Sequence, residues 1–79
     1  MIGEVYKIEK GVDIGVELDK NDIIKITGYK RIIDKQGLAF KILKTNKKFL
    51  LNMDKFVITK EQLLYIGNKV QYNNIKKVN

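Results

Sequence analysis

Four carboxylates close together near the start of the chain, Asp13, Glu17, Asp19 and Asp22, are its densest set of groups able to bind a cation or move a proton. Asp13 and Glu17 share one side of an alternating stretch, and Asp19 and Asp22 flank a turn. A calcium loop of the EF-hand kind needs alternate oxygen ligands, a central glycine and a terminal glutamate, and this spacing does not match it. The chain has no cysteine, histidine or serine. Disulfides, thiolate metal sites, the commonest metal ligand, the usual general base and the serine nucleophile are therefore absent. No glycine-rich phosphate loop and no nucleophile–base pair can be built from what remains. The expectation is a protein with no catalytic residues, no metal and no cofactor, whose acids form a solvated strand face with Glu17 diagonally near Lys25.

The second set is basic: Lys25, Lys30, Arg31 and Lys41, continuing to Lys44, Lys47 and Lys48, with Tyr29 among them. Lysines on adjacent outward positions would make phosphate contacts that are tolerant of sequence and sensitive to salt. A tyrosine between them could stack on any base. The bland explanation is that solvent-facing lysines keep a small β protein soluble and blunt its sheet edges.

Net charge alone does not choose between these readings. The 79 residues carry +7, but Lys, Ile and Asn, all encoded by A/T-rich codons, make up 34 of them, and there is a single arginine. The placement of charge is more telling. Residues 1–22 hold six acids against three lysines, and residues 23–79 hold thirteen basic residues against three acids. A codon bias has no reason to sort charges along a chain.

The elements that must position these groups are strands, because period-2 patterning dominates. Val12 to Leu18 alternates apolar and acidic or glycine residues and reads as one half-buried strand, with a less regular strand over Glu4 to Glu9 before it and a turn at Gly11. Asp22 to Ile33 reads as a long β-branched strand with Ile24, Ile26 and Ile32 inward. A three-residue loop, Asp19-Lys20-Asn21, would pair it with Val12–Leu18 so that Val16 faces Ile24. Gly28 within it marks a bulge or bend. If it is a bulge, parity flips and Lys30 replaces Tyr29 and Arg31 on the outer side. A turn at Asp34-Lys35-Gln36-Gly37 leads to Leu38–Leu43, and a two-residue turn within Thr45-Asn46-Lys47 leads to Lys48–Met53. Phe40, Phe49 and Phe56 read as core, while Tyr6, Tyr65 and Tyr72 are open between packing and a ligand platform. Leu43 and Leu50 point outward. Thr59 with Gln62 has the form of a capping box and predicts a helical turn, with residues 63–66 either helix or strand before Gly67.

These readings predict a mostly β protein, one small domain over residues 1–72 with a frayed polar tail over 73–79. The architecture expected is a small curled antiparallel sheet, or a barrel of about five strands with one short late helical turn. The element order resembles SH3-like and OB-like small barrels. The N-terminus has neither signal-peptide nor transmembrane character, so a cytoplasmic location and no membrane partner are expected. The function expected first is non-catalytic nucleic-acid binding, to DNA or RNA, through Lys25, Tyr29, Lys30, Arg31, Lys41, Lys44, Lys47 and Lys48. The alternative is a protein-interaction or inhibitor module, as a homodimer or on an acidic protein partner, using Leu43 and Leu50. Short A/T-biased chains without catalytic residues are of the accessory kind that phages and other mobile elements encode.

Overall fold

A computed structural model of the chain describes residues 2–67 and 70–78. The elements run β1 (Val5–Ile8), β2 (Val12–Asp13), β3 (Glu17–Leu18), β4 (Ile23–Ile32), β5 (Lys35–Ile42), β6 (Lys48–Asn52), a 3-10 turn (Met53–Lys55), β7 (Phe56–Ile58), β8 (Gln62–Gly67) and β9 (Val70–Val78). Seven strands form one antiparallel sheet in the order β6-β5-β4-β1-β9-β8-β7, and β2 pairs with β3 as a separate ribbon. The mostly β class and the antiparallel curled sheet agree with the sequence.

The curl follows from chain connectivity. The two outermost strands, β6 and β7, are joined only by Met53–Lys55. Four Cα steps cover at most about 15 Å, whereas six interstrand gaps in a flat sheet would put the edges roughly 29 Å apart. The sheet must therefore bend until its edges approach. They do not become hydrogen-bonded neighbours, so the sheet is curled and barrel-like but not a closed barrel. Asn52 caps the 3-10 turn, its Oδ1 accepting from the Asp54 N–H at 3.1 Å.

The concave face is the core. Tyr6, Ile8, Ile24, Ile26, Leu38, Phe40, Leu63 and Ile75 are fully buried there, with Ile42, Phe49 and Leu51 nearly so. The rings of Phe40 and Phe49 stack at 5.4 Å, and Phe56 leans on Tyr65 at 5.2 Å. Val12, Ile14 and Leu18 of the ribbon join the same cluster. Tyr6, Tyr65 and the three phenylalanines are thus packing residues. The inward position expected of Ile32, and the Tyr72 side chain, lie outside the described residues.

Several sequence expectations are corrected. Val12–Leu18 is not one strand along β4. It doubles back at Gly15, whose φ of +92° suits glycine and whose N–H donates to Asp13 Oδ1 at 3.0 Å, so Val12 pairs with Leu18 and Asp13 with Glu17. Glu17 therefore faces Asp13 across the ribbon rather than Lys25. The place beside β4 belongs to β1, with Tyr6 opposite Ile24. The β4–β5 hairpin turns at Ile33-Asp34, two positions earlier than Asp34–Gly37. The β5–β6 loop holds four residues, 43–46, not two, with Asn46 at φ +58°. A two-residue difference slides the register but preserves parity, so Phe40 and Phe49 stay on the inner face expected of them, where they pair.

The second half departs further. Thr59 does not start a helix. Its hydroxyl accepts from the Glu61 and Gln62 N–H groups at 3.3 and 3.1 Å, and its own N–H donates to the Gln62 carbonyl at 2.9 Å, closing the β7–β8 hairpin. The helical turn lies earlier, at Met53–Lys55, and 63–66 are strand. The expected frayed tail from residue 73 is part of β9, an interior strand paired to both β1 and β8 through Val78. Its backbone is held from both sides, and among its described side chains Ile75 is fully buried.

Candidate nucleic-acid interface

The convex face of β4, β5 and β6 carries the basic residues, and the register decides which. Lys25 pairs with Lys41, and Lys41 pairs with Lys48. Each alternates with core residues, since Ile24, Ile26, Phe40, Ile42, Phe49 and Leu51 all point inward. Three lysines thus stand side by side across three strands, with Lys41 half-buried between its exposed neighbours. Directly opposite like charges destabilise a sheet. Among the described residues, none of these three forms an ion pair, and the outward positions on β4, β5 and β6 hold no carboxylate.

Gly28 sits at a β-bulge. Ile26 pairs with Phe40 but Gly28 pairs with Ala39, so Thr27 is the extra residue, and its hydroxyl donates to the Ala39 carbonyl at 3.2 Å. Beyond the bulge parity flips. Lys30, opposite Gly37, lies on the lysine face. Tyr29, opposite the buried Leu38, and Arg31, opposite Gln36, fall on the other side of the strand. Tyr29 is 44% exposed there and is near enough to Tyr6 to contribute to the upward shift of that phenol. Grouping Tyr29 and Arg31 with the lysine row is therefore corrected. Arg31 instead donates from Nε to the Ile33 carbonyl at 3.4 Å. Lys44 and Lys47 are exposed around the β5–β6 loop, where the Thr45 hydroxyl accepts from the Lys47 N–H.

Two further lysines extend the face and are not in the set read from the sequence. Lys7 on β1 pairs with Lys76 on β9, and Lys76 donates to Gln62 Oε1 at 2.9 Å. The alternation of Val5, Lys7 and Glu9 against Tyr6 and Ile8 is the local signal for Lys7. Lys76 became legible only once β9 took its interior place. Leu50 on β6 and Leu43 at the start of the β5–β6 loop, each 41% exposed, lie two residues along the chain from Lys48 and Lys41.

On the rim of the concave face, Tyr6 donates to Glu4 Oε2 at 2.6 Å and Lys77 Nζ donates to Glu4 Oε1 at 3.1 Å. The Tyr6 hydroxyl, ahead of the Lys77 ammonium, holds the Glu4 carboxyl below its ordinary value, while burial, then Glu4, push the Tyr6 phenol upward. Both groups are satisfied structural partners. The acids of the ribbon do not gather: among the described residues no three carboxylates come together as a cation site.

No helix among the described residues is long and apolar enough to cross a membrane. In comparisons with protein-family models, curated proteins and solved structures, the chain matches none.

Proposed function

We propose that this is a non-catalytic nucleic-acid-binding accessory protein whose working surface is the convex face of β4, β5 and β6. The observation that supports it is the Lys25–Lys41–Lys48 row. Three like charges in direct cross-strand register work against the fold, and a polyanion laid across the row would relieve that repulsion and release its own counterions. Lys7, Lys76 and Lys30 continue the positive field on the same face. Contacts to phosphate alone make binding tolerant of sequence. A cytoplasmic location belongs to this reading.

The test is anisotropy of labelled single-stranded DNA, duplex DNA and RNA at several salt concentrations. The expected result is binding that survives near-physiological salt with a log–log slope matching several phosphates, and its loss in Lys41→Glu/Lys48→Glu. Equal, weak binding to every polyanion, vanishing at that salt, would overturn the reading.

The exposed pair Leu43 and Leu50 favours a second reading, a protein-interaction module bound to an acidic partner or to a second copy. That reading requires Leu43→Ser/Leu50→Ser to abolish partner capture while the lysine substitutions have the smaller effect.

A further inference from the structure

A shallow trough crosses β4, β5 and β6 on the lysine face, lined by Thr27, Lys30, Ala39, Lys48, Phe49 and Leu50. Its origin is the bulge. Ala39 has Gly28 for its partner on β4 and Leu50 for its partner on β6, so side-chain bulk drops to nothing on one side and to a methyl in the middle. Thr27 spends its one hydroxyl proton on the Ala39 carbonyl. The floor is therefore apolar and offers no side-chain donor to a ligand. The cations stand on either side along the strand direction. Lys30 pairs with Gly37, two positions to one side of Ala39, and Lys48 pairs with Lys41, two positions to the other. Two interstrand gaps make the floor roughly 10 Å across.

We infer that this trough is a base-binding subsite: it seats one unstacked nucleobase of a single strand, with the phosphates on either side of that base held by Lys30 and Lys48. The inference rests on the function proposed above and adds its ligand class. Charge complementarity chooses the occupant, because an apolar floor between lysines, with no carboxylate on the outward positions of the three strands, fits a flat uncharged ring flanked by anions. A base inside a duplex is stacked and paired and cannot reach a floor of this kind, so single strands are preferred over duplex. Contact of a base face with aliphatic side chains is indifferent to base identity, and the Thr27 hydroxyl, its proton committed to Ala39, offers no donor to a base edge. The subsite takes over the role expected of Tyr29, which stands on the other side of β4.

The test compares oligothymidylate with an abasic oligodeoxyribose phosphate of equal length and charge at fixed near-physiological salt. The base-bearing strand should bind about tenfold tighter, equivalent to about 1.4 kcal/mol. Ala39→Leu, which fills the trough, and Leu50→Ser, which removes part of its floor, should each bring that ratio close to one while leaving affinity for the abasic strand unchanged. Circular dichroism checks that both variants fold, and Leu50 is exposed enough for its change to be tolerated. Equal affinity of the native protein for both strands would overturn the subsite and leave the basic-face reading standing. Absence of binding to either strand would overturn both. Poly-glutamate binding as tightly as oligothymidylate would also overturn the subsite, in favour of an acidic protein partner.

Discussion

The ribbon β2–β3 and the lysine row on β4, β5 and β6 both set like charges opposite one another, and the two are built differently. In the ribbon a single pair, Asp13 and Glu17, projects into solvent from two short strands. Asp13 already accepts from the Gly15 N–H, and the ribbon is anchored beneath by Val12, Ile14 and Leu18. Water screens that repulsion well. In the row, Lys41 is half-buried and has a like charge on each side. Repulsion there accumulates over three strands with no carboxylate in between. An exposed acidic pair needs no explanation beyond solvation, whereas a flanked, half-buried cation is the observation on which the proposed anionic partner rests.

The comparison can be broken most sharply beneath the ribbon. Leu18→Ala removes a fully buried side chain and should cost about 2–5 kcal/mol, measured by urea unfolding. A loss under about 1 kcal/mol would mean that the ribbon does not contribute to the sheet's core. The next largest effect separates the two charged regions. Lys41→Glu/Lys48→Glu should weaken single-strand binding by about two orders of magnitude and lower the salt slope by about 1.4, two phosphates at roughly 0.7 each. The charge change of equal size and opposite sign in the ribbon, Asp13→Lys/Glu17→Lys, should raise affinity by far less than two orders of magnitude. A gain in the ribbon variant as large as the loss in the row variant would show that net charge, and not the row, governs binding.

Two glycines sharpen the backbone side of the same contrast. Gly15 turns the ribbon at φ +92°, and a Cβ there meets open space, so Gly15→Ala tests conformation alone. It should cost about 1–2 kcal/mol. Gly28 on the lysine face has equally open space and no positive φ, so Gly28→Ala should be neutral or stabilise by up to about 1 kcal/mol. Thermal melts of the two variants side by side give the sign of each.

The smallest effect concerns the concave rim. Tyr6→Phe deletes a hydroxyl that donates to Glu4 and should cost about 1 kcal/mol, with a pH signature. Glu4 is lowered in the folded chain, first by that hydroxyl, so its contribution is present above its unfolded value of 4.5 and is lost as pH falls through the lowered one. Tyr6 is raised, first by burial, so its contribution is complete below pH 10 and is lost as pH rises beyond it. In Tyr6→Phe the acid unfolding midpoint should move to higher pH and the alkaline loss should shrink. Unfolding curves between pH 2 and 11 that superimpose on the native protein's would show that the Tyr6–Glu4 bond is not formed in solution.

Alternating residues were the reliable signal. Leu38, Phe40, Phe49 and Leu51 were legible as core because a two-residue error in loop length leaves every side chain on its face. Lys25, Lys41 and Lys48 were legible as outward for the same reason. Thr59 misled because a threonine hydroxyl accepting from N–H groups two and three residues on serves a hairpin as well as a helix start. Tyr29 and Arg31 hinged on the bulge at Gly28, where one inserted residue reverses the faces of the residues beyond it.

Residue type and period alone were enough for a β protein without cysteine, histidine or serine, with acids early, lysines late and an apolar face along each main strand. Pairing partners were settled by the tertiary structure alone. Local alternation specifies a face and is silent about a neighbour, so Val12–Leu18 could equally have lain along β4 until Gly15 turned it back and β1 took that edge. The same long-range closure drew β9 between β1 and β8, brought the edges of the sheet together over three residues, and set Lys25, Lys41 and Lys48 abreast. Residues 16 and 7 positions apart in the chain became neighbours because their strands had to bury Ile24, Phe40 and Phe49 on one side.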